Sequence, residues 1–312
     1  MHHAFMHPTR RAHRLYAALI GSLLWLGLVA PALAEGTLDK VRTSGTLTLG
    51  YRADTQPFSF ADATGKPDGY SVALCRRVFD AVKTELKLPA LKAEWVAVTP
   101  ANRFEALQRG QIDLLCGAAS PTLGRRAIVD FSILIFDSGI GAMVRTDAAK
   151  RLHDALAGRT NPTMPVWRGA PGALTQKVVF AAVAGSTVEH SLIEALAARR
   201  IEATVAPVPD YASGTQMVLD GRAAAFFGDR PVLLDTAKRS SSAGELLVVD
   251  RVFRREPLAL AVRRGDDAFR LVVDRSLSEL FRSKDFAPLY ARFFGAPGPS
   301  ALAFFELVAL PD

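Results

Sequence analysis

The sequence contains few of the residues that build metal centres or disulfide frameworks. Of its 312 residues, two are cysteine and six are histidine, and four of the histidines lie within the first 13 residues. Two cysteines exclude a small disulfide-framework protein and a cysteine-rich zinc site. The remaining His153 and His190 are too few for a multi-histidine metal centre. We therefore expect neither a metal nor a cofactor.

Blocks of basic residues are also absent. The formal net charge is +7, but lysine and arginine occur singly or in pairs such as Arg199-Arg200 and Arg263-Arg264. Nucleic-acid binding needs basic residues clustered on one face, so no nucleic-acid partner is expected. The chain is 49% hydrophobic and 22% charged, which is ordinary for a globular protein.

The N-terminus has the pattern of an export signal. Residues 1–14 carry three arginines and no acidic residue, residues 15–30 form an apolar run, and Ala32-Leu33-Ala34 places small residues before a cleavage point. This combination predicts a secretory signal peptide cleaved after Ala34. A membrane anchor is the alternative, but the run is shorter than the roughly 20 residues that a span needs. No second run of this kind follows.

Strands and helices alternate through the rest of the chain. Thr46–Tyr51 alternates as a strand does, and apolar residues recur at helical spacing from Tyr70 onward. The apolar run Val178–Val183, and the segment Ile112–Cys116, whose residues are apolar except for Asp113, are typical of buried strands. The order strand–helix–strand–helix–strand occurs twice, which predicts an α/β protein with two lobes of similar plan.

Two similar apolar segments, Ile140–Arg145 and Leu258–Arg263, flank the second α/β block. They indicate a chain that leaves the first lobe, builds the second and returns, with a hinge and a ligand cleft between the lobes. The predicted organisation is a signal peptide over 1–34, lobe 1 over 35–142, lobe 2 over 143–257, and the rest of lobe 1 with a C-terminal tail over 258–312. Residues 158–176 are predicted to be a loop within lobe 2, and the tail from residue 295 to pack over the surface.

Polar residues follow the predicted strands at their carboxyl ends. In α/β sheets, ligands bind beyond these ends. The residues found there are arginines, hydroxyl residues, a helix start and one carboxylate: Arg52, Ser120, Arg125, Thr187 and Asp229. Arginine binds a carboxylate with two hydrogen bonds, a helix N-terminus favours an anion, and Asp229 can pair with an ammonium. The set fits a zwitterion.

The motifs in this order resemble the periplasmic amino-acid-binding proteins of ABC transporters, solute-binding protein family 3. The resemblance covers residues 36–295 and implies the two-lobed type II periplasmic-binding fold with two hinge crossings. The motifs that carry it are Gly45-Thr46-Leu47, Pro57-Phe58-Ser59, Gly69-Tyr70-Ser71, Asn102-Arg103-Phe104, Ser120-x-Thr122-x-x-Arg125, Val129-Asp130-Phe131-Ser132, Gly185-Ser186-Thr187, and Gly221-Arg222 with Asp229.

The resemblance implies a role for each ligand-binding residue. Arg125, Ser120 and Thr187 hold the α-carboxylate of an L-amino acid, and Asp229 with the Ala118 carbonyl takes the α-ammonium. The chain looks most similar to the glutamate/aspartate-binding branch, in which arginines stand where Arg52 and Arg103 stand here, and the first meets the side-chain carboxylate. It departs from that branch at three positions: Ala118 replaces a serine, Pro100 replaces a hydroxyl residue, and Tyr211, also expected to line the site, replaces a histidine.

Each of these residues also has a purely structural interpretation. Arg52 could pair with Asp54, Arg103 could form an ion pair within its helix region, and Asp229 and Thr187 could cap helices. Phe58 and Tyr211 could belong to the core. Cys75 and Cys116 could be core residues or, because export permits it, a disulfide.

An enzyme on the same scaffold is the competing interpretation. Exported cyclohexadienyl dehydratases resemble these binding proteins and need a general acid, for which the strand ends offer only Asp229. No Ser-His-Asp set or phosphate loop is present. We expect a periplasmic monomer without catalytic residues that binds a free L-amino acid and is recognised by the membrane permease subunits of an ABC transporter.

Overall fold

The computed structural model describes residues 1–2, 36–159 and 178–311. The predicted signal peptide lies outside the described residues beyond residue 2, as does the predicted 158–176 loop beyond residue 159. The compact unit begins at Gly36. Within the described ranges, no helix has the length and apolar character that crossing a bilayer requires.

Strands and helices alternate as the sequence predicts. The strands are β1 Thr46–Arg52, β2 Asp54–Thr55, β3 Ser59–Ala61, β4 Pro67–Asp68, β5 Lys92–Val98, β6 Leu114–Ala119, β7 Val129–Arg145, β8 Val178–Val183, β9 Ala203–Val208, β10 Ala225–Asp229, β11 Leu246–Val248 and β12 Arg254–Arg263. The helices are α1 Thr37–Ser44, α2 Tyr70–Glu85, α3 Arg103–Gln108, α4 Leu123–Arg126, α5 Lys150–Leu156, α6 Thr187–Ala198, α7 Tyr211–Leu219, α8 Arg230–Arg239, α9 Asp267–Arg282, α10 Phe286–Phe294 and α11 Pro299–Val308.

Two long strands join two groups of parallel strands. The main sheet has the order β5-β1-β6-β12-β7-β10-β8-β9. β1 pairs in parallel with β5 and β6, and β8 pairs in parallel with β9 and β10. β12 and β7 run antiparallel to each other between these groups. They contain the two segments predicted to cross between lobes, but they extend further, because β7 pairs with β12 over residues 129–140 and with β10 over residues 140–143.

A glycine at a close backbone contact positions the segment next to β1. Gly69 has φ +124°, and a Cβ at this residue would lie 2.3 Å from the Phe58 carbonyl oxygen. The following residues anchor the same segment, because the Tyr70 amide donates to Pro57 and the Ser71 amide to Phe58. The Ser59 hydroxyl then accepts a hydrogen bond from the Arg52 amide at 2.9 Å. The two motifs noted in the sequence thus hold the end of β1, where Arg52 lies.

A disulfide bond links Cys75 on α2 to Cys116 on β6, with the two Cα atoms 6.1 Å apart. Of the two interpretations left open by the sequence, the disulfide is therefore the one observed. Both cysteines are fully buried. The bond ties the helix that packs on this part of the sheet to the strand whose end carries Ala118 and Ser120.

The C-terminal residues, which we expected only to pack over the surface, form helix α11. Pro299 begins the helix, where the missing amide hydrogen and the fixed φ of proline are favourable. Phe305 is 2% exposed, and its ring centroid lies 4.8 Å from that of Phe281 and 4.3 Å from that of Phe286. Phe305 is therefore a core residue, and the tail contributes to the core as well as covering it.

Candidate functional site

All the residues proposed from the sequence line one cavity of about 60 Å³. Its walls come from the ends of β1 and β6 with the loops that follow them, and from α6, α7 and the end of β10. The eight predicted residues that line it are Arg52, Arg103, Ala118, Ser120, Arg125, Thr187, Tyr211 and Asp229. Pro100, Phe58, Gly117, Phe227 and Leu258 are among the others.

Arg103 and Arg125 place two guanidinium groups beside one aromatic ring. The guanidinium carbons lie 4.7 Å and 5.1 Å from the centroid of Phe104, a distance typical of cation–π contacts. Arg103 donates to the Pro100 carbonyl at 2.5 Å, and Arg125 donates to the Ser120 carbonyl at 3.0 Å. Neither forms an ion pair with a carboxylate in the described parts of the chain, so the ion pair considered for Arg103 is not observed.

Burial makes both arginine charges unfavourable. Arg103 is only 7% exposed, and its burial, together with the neighbouring charges of Arg125 and Arg52, lowers its pKa to about 9. Burial also lowers the pKa of Arg125, against an opposing effect of Glu256 and Asp229. Because a buried cation without a partner is costly, these two groups favour a bound anion.

Arg52 already has a carboxylate partner. Its Nε donates to Asp54 Oδ1 at 2.9 Å and its Nη2 to Asp54 Oδ2 at 2.8 Å. The ion pair considered for Arg52 is therefore formed, while the same side chain also lines the cavity. Asp54 therefore offsets the charge that Arg52 presents to the cavity. The charges of Arg103 and Arg125 are not offset by a carboxylate of the described chain.

The Asp229 carboxylate does not cap a helix, which was the structural alternative that the sequence left open. Asp229 occupies the N-cap position of α8, but its side chain makes no capping hydrogen bond. Instead its Oδ2 accepts from the Tyr211 hydroxyl at 3.2 Å and its Oδ1 from the Ser138 hydroxyl at 3.4 Å. Burial, and next the charge of Glu256, raise the pKa of Asp229 to about 6.

Thr187 is the first residue of α6, and the cap of that helix is its neighbour. The Ser186 hydroxyl accepts from the Glu189 amide at 3.1 Å, so capping does not require Thr187. Thr187 is half-buried and lines the cavity. Its hydroxyl therefore lies at a helix N-terminus, where backbone amides favour an anion.

Ser120 and Ala118 lie just beyond the disulfide-linked part of β6. Ser120 is buried, and the Thr122 hydroxyl accepts from the Arg125 amide at 3.2 Å, which caps the short helix α4. Ala118 has φ +42°, a conformation that is uncommon for a residue with a Cβ and is often found at binding sites.

Tyr211 is buried and replaces the histidine expected from the resemblance. Its ring packs against Phe226 with centroids 5.5 Å apart. A Cβ at Gly228 would lie 2.8 Å from the Tyr211 ring, so this buried glycine of β10 makes room for the tyrosine. Burial and the adjacent charge of Asp229 raise the pKa of Tyr211 well above its usual value, and the hydroxyl remains a hydrogen-bond donor.

Two residues of the site environment were missed from the sequence. Ser138 bonds to Asp229, and Glu256 lies opposite Ser138 in the pairing of β12 with β7. Glu256 is 6% exposed and its Oε2 atom has no hydrogen-bond partner. Its position as the only acidic residue in Arg254–Arg263, just before the apolar residues Leu258–Val262, was the signal available.

No cluster of three or more histidine, cysteine, aspartate or glutamate side chains suited to a metal occurs within the described ranges. The chemistry available to the cavity is therefore that of its arginines, hydroxyls and one carboxylate. These groups can bind a small ligand that carries both negative and positive charge.

Comparison with known proteins gives one consistent family. Residues 47–296 match the model of the bacterial extracellular solute-binding proteins, family 3. The L-glutamate/L-aspartate-binding protein of Pseudomonas aeruginosa is 31% identical over 286 residues, which cover 91% of this chain and 88% of that protein. The glutamate/aspartate import solute-binding protein of Escherichia coli is 25% identical, with coverage of 91% and 88%.

A solved structure supports the same assignment. The chain is similar to an ancestral amino acid-binding protein described as a precursor of cyclohexadienyl dehydratase, with a TM-score of 0.67 and 27% identity. The match covers 83% of this chain and all of that one. The protein has the two-lobed fold of periplasmic binding proteins and belongs to the bacterial extracellular solute-binding proteins of family 3.

Proposed function

We propose that this protein is the solute-binding component of an amino-acid ABC transporter and that its ligand is L-glutamate or L-aspartate. The observation that carries the proposal is the charge of the cavity. Two guanidinium groups, those of the buried Arg103 and the half-buried Arg125, have no carboxylate partner in the described chain, and one half-buried carboxylate, Asp229, faces the same cavity. An acidic amino acid carries two carboxylates and one ammonium, which match these groups in number and sign.

In this proposal Arg125 binds the α-carboxylate, with the hydroxyls of Ser120 and Thr187 beside it. Asp229 and the Ala118 carbonyl bind the α-ammonium. A charge-assisted hydrogen bond contributes about 1.5–3 kcal/mol, so three or four such contacts suffice for micromolar binding, which corresponds to about −8 kcal/mol.

Arg103 is the main partner of the side-chain carboxylate, and Arg52 has a smaller part because Asp54 already binds its guanidinium. The names of the P. aeruginosa and E. coli relatives support an acidic ligand. Pro100 and Ala118 carry no side-chain hydroxyl, so the two arginines account for most of the selectivity for an acidic side chain.

Closure of the lobes completes the site. Arg52, Arg103, Ser120 and Arg125 precede the first crossing strand, whereas Thr187, Tyr211 and Asp229 follow it. Because the ligand contacts both sets, it stabilises the closed conformation more than the open one. The lobe limits proposed for this movement are 35–142 and 258–312 for lobe 1, and 143–257 for lobe 2.

The protein acts outside the cytoplasm, after cleavage of the signal peptide following Ala34, and presents the closed form to the permease subunits of the transporter. The buried Cys75–Cys116 disulfide supports this location, because disulfides persist in oxidising compartments. Mass determination of the protein isolated from the periplasm tests the cleavage point.

The test of the ligand is a thermal-shift screen of the exported protein against the common L-amino acids, after unfolding and refolding to release bound solute. A ligand at 100 times its Kd stabilises the protein by about 2.7 kcal/mol. Stabilisation by glutamate or aspartate and not by glutamine or asparagine is expected. Stabilisation by neutral amino acids alone would reject the acidic ligand and leave the amino-acid class in place.

A second candidate function is favoured by one observation. The pKa of Asp229 is raised to about 6, and a buried carboxyl with such a pKa can act as a general acid. In a dehydratase acting on prephenate, it would protonate the leaving hydroxyl as the ring carboxylate departs as CO₂ and the ring becomes aromatic. Consumption of prephenate without a response to any amino acid would favour this function over transport.

A further inference from the structure

Glu256 is a buried carboxylate that the proposed ligand contacts do not use. It lies on the crossing strand β12, opposite Ser138 on the crossing strand β7. It is 6% exposed, and its buried Oε2 has no hydrogen-bond partner. Leaving a buried acceptor unpaired costs free energy, so its position requires an explanation.

Two neighbouring residues connect Glu256 to the binding site. Ser138, its partner in the strand register, donates its hydroxyl to Asp229 Oδ1 at 3.4 Å. Arg125 and Glu256 both line a surface cleft of about 720 Å³ that also includes Ser120 and Thr187. Glu256 is therefore opposite the residue that bonds to Asp229, and it lines the same cleft as Arg125.

The other charges around Glu256 already have partners. Arg254 donates to the Ser191 hydroxyl at 2.8 Å, and Arg255 is paired with Asp137. Within the part of the chain that the structure describes, Arg125 is thus the nearby cation without a carboxylate partner, and its charge is favoured by Glu256.

The charges around Asp229 are of both signs. Arg103 and Arg125 attract it, the hydroxyls of Tyr211 and Ser138 donate to it, and Glu256 repels it. The repulsion from Glu256 is the largest charge effect that favours the neutral form of Asp229.

We propose that Glu256, on the strand beside Ser138, acts on the binding site through Asp229: by repelling the charge of that carboxylate, it makes capture of the ligand ammonium sensitive to pH. The inference rests on the proposed function. An ammonium binds the ionised form of Asp229, so affinity decreases as Asp229 gains a proton. With a pKa of about 6, the wild-type affinity falls by about tenfold between pH 7 and pH 5.

The experiment is calorimetric titration with L-glutamate between pH 5 and pH 7.5 on four proteins. These are the wild type, Glu256→Gln, Glu256→Asp, which keeps the charge, and Glu194→Gln as a matched control. Glu194 lines the same cleft but is exposed and paired with His190. The expected result for Glu256→Gln is an affinity at pH 7.5 within about twofold of the wild type and a fall of less than about threefold down to pH 5, with the wild-type profile in the other two variants.

A second measurement needs no ligand. The pH dependence of the free energy of unfolding between pH 4 and pH 6 reports the pKa of Asp229 in the unliganded protein, and Glu256→Gln should flatten it. In an Asp229→Asn background, Glu256→Gln should have no such effect. An unchanged pH profile in Glu256→Gln, or a change that persists without Asp229, would overturn the inference. Failure of glutamate to bind the wild type would reject the proposed ligand but would leave this unfolding test valid.

Discussion

The Tyr211 hydroxyl forms two hydrogen bonds with one residue, Asp229. It accepts from the Asp229 amide at 3.1 Å and donates to Asp229 Oδ2 at 3.2 Å. The two residues come from different elements, the start of α7 and the end of β10. Tyr211 therefore fixes the carboxylate that we assign to the ligand ammonium, and its hydrogen bond opposes the rise in the pKa of Asp229.

Tyr211→Phe should weaken ligand binding at pH 7 in a way that higher pH restores. The hydroxyl donates a hydrogen bond that favours the ionised carboxylate, so its loss raises the pKa of Asp229 above its present value of about 6. Calorimetric titration at pH 7 and pH 8.5 measures the effect. Tyr290→Phe is the matched control, since Tyr290 is buried in the aromatic cluster of α10 and lies outside the cavity. A defect that is equal at both pH values would contradict the prediction.

Arg103→Met should have opposite effects on binding and on stability. It should weaken binding of glutamate and aspartate by roughly 10- to 100-fold, which corresponds to the loss of one charge-assisted contact of about 1.5–3 kcal/mol. It should also stabilise the unliganded protein, because a buried cation without a carboxylate partner is replaced by an apolar side chain. Titration and urea unfolding of the same sample measure both effects, and lower stability would contradict the account of Arg103.

The other two arginines are proposed to bind different carboxylates of the ligand, so replacing them should have different effects. Arg125→Ala should weaken every amino-acid ligand, whereas Arg52→Ala should weaken acidic ligands selectively and less than the change at Arg103, because Asp54 already offsets the Arg52 charge. Competition experiments with glutamate and glutamine measure the selectivity. Equal losses for the two ligands in Arg52→Ala would reject its part in recognising the acidic side chain.

The residues at strand ends could be predicted from the sequence because each strand, and the direction in which it ends, is visible in a local pattern of apolar residues. The apolar run Val178–Val183 is a strand with these limits, and the rule that ligands bind beyond carboxyl ends of strands identified residues that all line one cavity. The pairing of Arg52 with Asp54 stayed open, since a spacing of two residues allows the pair but does not require it.

Ser138 and Glu256 could not be identified in the same way. Their proximity depends on the register between two antiparallel strands that are far apart in the sequence, and no periodicity encodes that register. The rise in the pKa of Asp229 depends on this proximity and on burial. It therefore could not be predicted from the sequence either. Helix α11 was not predicted because the proline and glycine residues at its start indicated an irregular tail.

Asp229→Asn should stabilise the unliganded protein while abolishing amino-acid binding. The pKa of Asp229 is about 6 in the folded protein, above the value of about 3.9 expected when unfolded. The folded state therefore binds more protons between these values, and stability falls as pH rises from about 4 to about 6. The amide variant should lack this fall and be more stable at pH 7.5 by about 3 kcal/mol. Urea unfolding across this range provides the measurement, and a wild-type slope in the variant would contradict it.

Replacing both disulfide cysteines, Cys75→Ala with Cys116→Ala, should lower the free energy of unfolding by about 4 kcal/mol. The cross-link spans 41 residues, and closing a loop of this size restricts the unfolded chain strongly. Because Cys116 lies on the strand that ends at Ala119, the double variant should also bind ligand more weakly, through less precise placement of Ala118 and Ser120. Urea unfolding and titration of the double variant, beside wild-type protein treated with a reductant, measure the two effects. A loss of stability without any loss of affinity would limit the disulfide to a role in folding, since α2 would then not be needed to hold the binding end of β6.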